Sequence, residues 1–280
     1  MPVMRIFLTS LLCLCGLASA ADEPLSFGVL NQRSALLTAQ YWNPILSHVS
    51  ARSGVPLRLG MGRTAPETTA MTVRGDFAFV YTNHLFTPRR DRLGYRVIAR
   101  PASKGIQGAL VAAEGAQARS LADLAGMEVV FPSPEAFVGY WVPMDALLKA
   151  GVNVKPVFAG NQEGAIGQLK TGRAAAAGVN AQVMENYGRR ENFRYRTLWR
   201  SESYLDLAIM AAPQVPGDKV EAVRNALVNM ARDEEGRKVL QAGAELLKLE
   251  GELGFVAADD KDYDNYRRFY RTTAIPLAEE

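Results

Sequence analysis

MEVVFPSPEAFVGYWVPMDALLKAG, residues 127–151, is the stretch on which the fold turns. Its first five residues form a β-type run, Ser133-Pro134-Glu135 interrupts it, and AFVGYWVPMDALLKAG (136–151) follows with helical periodicity. A strand that passes through a tight turn straight into a helix is the repeating unit of α/β proteins. The turn also aims a helix start at whatever lies beyond the strand. Free N–H groups and the positive end of the helix dipole make such a start a cradle for anions. The hydroxyls that commonly complete a cradle are missing, because Ala136, Phe137 and Val138 stand between Glu135 and Gly139.

Outward from this unit the same alternation repeats. LSFGVL (25–30) reads as a strand and TAQYWNPILSHVSARSG (38–54) as an amphipathic helix, with Leu37, Tyr41, Ile45 and Val49 on one face. VPLRLGM is the next strand, and Thr64-Ala65-Pro66-Glu67 reads as a capping box with proline in the first turn. FAFVY (77–81), YRVIAR (95–100) and IQGALVAA (106–113) continue the strands. Beyond the opening stretch, VKPVFA and AAAAGV are predicted strands flanking the helix EGAIGQLKTG, and YRTLWR and LDLAIMAA (205–212) follow. The chain then turns helical. The last helix, DKDYDNYRRFYR, carries Tyr263, Tyr266, Phe269 and Tyr270 as a stripe expected to pack in a core. Connections near 101–105 and 201–204 imply two lobes that the chain crosses between twice, with a cleft lined by strand ends and helix starts.

Composition narrows the function. Arg5, the apolar run IFLTSLLCLCGLA and Ala18-Ser19-Ala20 read as a secretory signal over residues 1–20. Both cysteines, Cys13 and Cys15, fall inside it, so thiol catalysis and cysteine metal sites are excluded from the exported chain, which is expected to be extracytoplasmic. Two histidines, His48 and His84, make a His-rich metal site or a Ser-His-Asp triad improbable, and no cofactor loop is legible. Neither a metal, a cofactor nor an enzymatic activity is therefore expected. The net charge is +3, or +2 without Arg5, and gives no reason to expect a nucleic-acid partner.

The order FGVL, WNPILSHVSARSGVPLRL, RGDFAFVYTNHLF, FPSPEAFVGYWVPMDALLKAGV and GNQEGAIGQLKTGRAAAAGV resembles the phosphonate-binding group of periplasmic solute-binding proteins that serve ABC importers. The resemblance covers nearly the whole chain beyond the signal. It implies the type 2 periplasmic binding fold: α/β, two lobes, an interlobe cleft and two crossover strands. On this plan lobe 1 comprises 21–103 and 205–280, and lobe 2 comprises 104–204.

The family's lobe 2 motif runs Phe-x-Asp-Pro-x-Ser-Thr-Ser-Gly, whose hydroxyls and N–H groups hold the phosphonate oxygens. Phe131, Pro134 and Gly139 match it, Ser133 stands at the Asp place, and Ala136, Phe137 and Val138 replace the three hydroxyl residues. Charge-assisted hydrogen bonds are worth about 1.5 to 3 kcal/mol each, so losing two or three costs an oxyanion roughly 3 to 9 kcal/mol. Other departures agree: Gln162 stands where the family often has His, Ala175 where it has Asp, and Tyr81-Thr82-Asn83-His84 where it has Gly-Pro.

The resemblance and the strand ends together nominate Arg33, Tyr81, Thr82, Asn83, Ala136, Phe137, Val138, Gly139, Tyr140, Gln162 and Asn180 as ligand-binding positions. Several admit a structural alternative. Ser133 before Pro-Glu is equally a helix N-cap. Phe137, Tyr140 and Trp141 serve either the cleft or the core, and Arg33 and Arg63 are either anion forks or solvated arginines. His84 reads as a satisfied loop histidine. The expected ligand is an oxyanion or a small polar organic compound, and the expected partner of the monomer is an ABC permease, or else a membrane sensor kinase.

Overall fold

The computed structural model describes residues 23–277; the signal-peptide reading of 1–20 lies outside them. Among the described residues there are eleven strands and eight α-helices, which alternate from the first strand to the third and from the sixth to the ninth, as the sequence implies. The first sheet takes β1 (Leu25–Val29), β2 (Leu57–Gly60), β3 (Phe79–Thr82), β4 (Arg96–Pro101), β10 (Ala208–Ala211) and β11 (Phe255–Ala257), in the order β11-β4-β10-β3-β1-β2. β1 lies parallel to β2 and β3, because α1 (Ala35–Ser53) and α2 (Ala65–Arg74) carry the chain back across the sheet. β10 enters from the other lobe and runs antiparallel between β3 and β4.

The second sheet, β7-β6-β8-β5-β9, takes β5 (Gly108–Ala113), β6 (Glu128–Phe131), β7 (Lys155–Phe158), β8 (Ala176–Asn180) and β9 (Tyr195–Arg200). Its three central strands, β6, β8 and β5, are buried on both faces, as their near-continuous apolar runs require, while the edge strands β7 and β9 are partly exposed. Val130, Val111 and Val179 pack under α4 (Gln162–Lys170) and α5 (Ala181–Glu191). Val129, Phe131 and Leu110 point the other way, toward α3 (Val142–Lys149) and Leu124. Each strand thus feeds two cores by simple alternation.

The two crossing segments run side by side between the sheets. Ile106 and Tyr204 form an isolated antiparallel bridge, Ile106 N–H donating to the Tyr204 carbonyl at 2.6 Å and Tyr204 N–H to that of Ile106 at 2.8 Å. After β10 the chain is helical through α6 (Gly217–Asn229), α7 (Glu234–Leu247) and α8 (Asp264–Thr272), interrupted by β11. The aromatic stripe of α8 and the turn before it is buried, as expected: Tyr263 stacks on Phe86 at 4.9 Å, and the hydroxyls of Tyr263 and Tyr266 donate to the carbonyls of Asp206 and Leu205. No helix among the described residues is long and apolar enough to cross a membrane.

The interlobe cleft as candidate functional site

Where the sequence predicts one helix from Ala136, the chain makes a wide π-type turn over Phe137–Trp141 and only then enters α3. The Ala136 carbonyl accepts from both Tyr140 N–H (2.7 Å) and Trp141 N–H (3.0 Å). The N-cap reading of Ser133 is therefore corrected. Its carbonyl closes a turn by accepting from Ala136 N–H at 3.2 Å, while its hydroxyl is buried with no hydrogen-bond partner among the described residues. The helical turns start too far along the chain for that hydroxyl to reach them. No acceptor among the described residues takes the N–H groups of Phe137, Val138 or Gly139.

Close approach forces glycine into this turn. A Cβ on Gly139 would lie 2.7 Å from Gln162 Nε2 and 2.8 Å from the Pro132 ring. One on Gly178 in β8 would meet the Gly139 carbonyl at 2.7 Å. The turn is thus pressed onto the sheet, with Gln162 Oε1 fixed by Asn180 N–H at 2.9 Å.

Around this turn the cleft has a narrow side. A cavity of about 20 Å³, room for roughly one water, is lined by Asn83 and His84 from lobe 1 and by Ser133, Ala136–Gly139 and Gln162 from lobe 2. Three features close it. Phe137 crosses toward α8, its ring 4.1 Å from that of Tyr266, 4.9 Å from Tyr204 and 5.0 Å from Phe269. Asn31 is already bonded to the Gly62 carbonyl and the Thr68 hydroxyl. Glu135 reaches from lobe 2 to lobe 1, with Oε1 2.6 Å from Arg90 Nη2 and Oε2 3.6 Å from His84 Nδ1. Burial alone would raise the Glu135 carboxyl, but the adjoining His84 ring and Arg90 guanidinium outweigh it and hold the pKa at about 2. Glu135 therefore serves an interlobe ion pair rather than a helix dipole, and His84 also contacts the Thr69 hydroxyl at 2.8 Å.

The wide side is a cavity of about 350 Å³. Arg33, Tyr41, Trp42 and Tyr81 line it from lobe 1, Ser103 and Lys104 from a crossing segment, and Asn180 and Gln182 from lobe 2. Asp206 sits at its back, accepting from Leu207 N–H at 2.7 Å and Ser103 Oγ at 3.3 Å. Burial raises the Asp206 carboxyl above its ordinary range against these donors and against the charges of Arg33 and Arg100. Burial likewise raises Tyr81 well above the ordinary phenol value, with Asp206 adding to it. Arg33 is half-buried, and no described residue forms an ion pair or hydrogen bond with its guanidinium.

The nominated positions thus divide. Asn83, Ala136, Phe137, Val138, Gly139 and Gln162 meet at the narrow side, whereas Arg33, Tyr81 and Asn180 meet at the wide one. Thr82 and Tyr140 line neither: the Thr82 hydroxyl accepts from His84 N–H at 3.1 Å, and Tyr140 packs against Phe131 and Phe158 at 5.0 and 5.1 Å. Arg63 is exposed and paired with Glu67 at 3.2 Å, away from the cleft. Tyr41, Trp42 and Asp206 were not among the nominated positions. A lone acid in the apolar run YLDLAIMAA, directly after the second crossing, was the available signal for Asp206.

Two lobes joined by paired crossing segments around a cleft define the class of two-lobed periplasmic binding proteins. The chain belongs to the family of periplasmic substrate-binding proteins of phosphonate ABC transporters, whose profile matches residues 27–263. Among solved structures it is similar to the methylphosphonate complex of PhnD1 from Prochlorococcus marinus, with 18% identity, 88% of this chain and 97% of that one covered, and a TM-score of 0.76. A binding-protein component of a phosphonate ABC transporter from Pseudomonas aeruginosa matches at 17% identity over 89% of this chain and 86% of that one, with a TM-score of 0.75. A Xanthomonas citri protein bound to ATP matches at 14% identity over 88% and 95%, with a TM-score of 0.68. At these identities the likeness establishes the fold alone. Among curated proteins no sequence match is found.

Proposed function

We propose that this periplasmic chain captures a small polar organic compound in the wide cavity and presents it to an ABC permease by closing its lobes. Lobe 1 is taken as 21–103 with 205–280, lobe 2 as 104–204, and the working unit as a monomer exported by the signal at 1–20. The single observation that carries the reading is the cavity of about 350 Å³, which brings Arg33, Asp206, Tyr81 and Asn180 together from both lobes. Its size lies in the ordinary range for small-molecule sites, which combine apolar walls with a few convergent polar groups. Arg33 suits an anionic group, Asp206 a donor or cation, and the Tyr41–Trp42–Tyr81 wall a flat or apolar body. The oxyanion motif is altered at Ala136, Phe137 and Val138, and methylphosphonate, the ligand of the Prochlorococcus relative, would meet backbone N–H groups there without the motif's three hydroxyls.

A thermal-shift panel of phosphonates, phosphate, phosphite, sulfonates, small amines and zwitterions tests this, because a ligand of the folded state raises Tm by mass action. At least one compound is expected to stabilise the protein, and Arg33→Ala to abolish its effect. A panel without a stabiliser, or one whose stabiliser ignores Arg33, would count against it. The Glu135–Arg90 contact joins the lobes through the chain's own side chains, which favours a second reading: a sensory module that presents a closed form to a membrane kinase. Adjacent genes for an ATPase and permease, or for a histidine kinase, separate the two.

A further inference from the structure

We infer that Glu135 is a specificity-determining residue of the cleft, a tethered carboxylate that occupies the Arg90 guanidinium of lobe 1 and thereby excludes tetrahedral oxyanions from the narrow side. The inference rests on the cleft being the ligand site, but its test does not need the ligand of the wide side. Glu135 follows Pro134 in the turn between β6 and α3, one residue before the positions 136–138 at which the motif's hydroxyls are missing. Its carboxylate ends on Arg90 at 2.6 Å and beside His84 at 3.6 Å, both in the segment between β3 and β4 of lobe 1. The three side chains are 18%, 11% and 2% exposed.

Charges removed from water to this degree are costly unless paired, so each side of the contact holds the other in place. An incoming phosphate would meet a negative charge already seated on the guanidinium that it needs. The narrow cavity, which His84 lines and Glu135 adjoins through it, is otherwise suited to an anion. The Ser133 hydroxyl is buried and unpartnered among the described residues, and the N–H groups of Phe137, Val138 and Gly139 donate to none of them. Gln162 adds an amide, since only its Oε1 is engaged, by Asn180 N–H. Lost hydroxyls weaken an oxyanion site, whereas Glu135 closes it by charge. The same contact ties the lobes together before any ligand arrives.

The test uses the full exported chain as wild type, Glu135→Ala, Glu135→Gln and the double variant Glu135→Ala/Arg90→Ala. Titration calorimetry with inorganic phosphate and with methylphosphonate reads binding, and small-angle X-ray scattering reads the radius of gyration without ligand. Glu135→Ala is expected to bind one or both anions about 100-fold more tightly than wild type and to lose that gain when Arg90 is also removed. Its ligand-free radius should exceed that of wild type and fall back as phosphate is added. Glu135→Gln keeps the side-chain volume, so it carries the same readouts should the alanine variant fail to fold, with a gain of about tenfold expected. Wild-type binding as tight as that of the folded variants would overturn the inference. So would variants that gain no affinity and keep the wild-type radius. Neither result touches the wide-side reading, which stands or falls with Arg33 and Tyr81.

Discussion

The two sides of the cleft are built from the same lobes and differ in what each lobe sends across. On the narrow side lobe 2 sends a carboxylate and a phenyl ring, Glu135 and Phe137, and lobe 1 answers with Arg90, His84 and the aromatic stripe of α8. On the wide side the charged groups stop short of one another: Arg33 forms no contact with Asp206 within ion-pair distance, and about 350 Å³ lies among the lining residues. Proteins satisfy charges that they bury and leave apart those that they offer to a ligand. On the proposed function, the contrast separates polarity that ties the lobes together from polarity held open for a ligand.

The largest effect that would break this contrast is at Phe137. Phe137→Ala removes a ring that is 1% exposed and packed on four aromatics, and is expected to lower unfolding free energy by about 3 to 5 kcal/mol in denaturant titration. Next comes pH. The Glu135 pKa is depressed to about 2 from an ordinary value of 4.5, so its contribution is fully present above pH 4.5 and disappears as pH falls toward 2. Between pH 5 and 2 the wild type should lose about 3 kcal/mol more stability than Glu135→Gln, the comparison cancelling the other carboxylates. On the wide side, Arg33→Ala should weaken whichever compound stabilises the wild type by tenfold or more, yet leave the ligand-free Tm within about a degree, since no described residue depends on its guanidinium. The smallest effect is at Arg63, whose exposed pairing with Glu67 lies outside the cleft. Arg63→Ala should change neither Tm nor ligand affinity, and a loss of affinity would move the cleft boundary.

Most of the architecture was legible because it rests on periodicity. Alternation placed every strand of both sheets within a few residues except β11, whose three residues are too few to show a period. The stripe of α8 was legible for the same reason. The site was legible in outline only. Residues at strand ends, such as Tyr81 and Asn83, do face the cleft, because topology fixes where strands end. The division into two sides was not visible, since it depends on where side chains 45 positions apart, Arg90 and Glu135, meet in space. The π-type turn also escaped detection, because Phe137–Trp141 follows the same apolar pattern whether the coil is α or wider. Ser133 looked like a cap for want of knowing that the coil starts later.

The paired crossing segments carry a mechanical consequence. Two segments of one chain, paired at Ile106 and Tyr204 and tied again from Ser103 to Asp206 and from Gln107 to the Ser201 carbonyl, resist shearing past each other, since that motion must break the 2.6 and 2.8 Å hydrogen bonds between them. A joint of that kind favours bending over sliding. On the proposed function, a permease that contacts both lobes would read the angle of that joint, and closure around a ligand would set it.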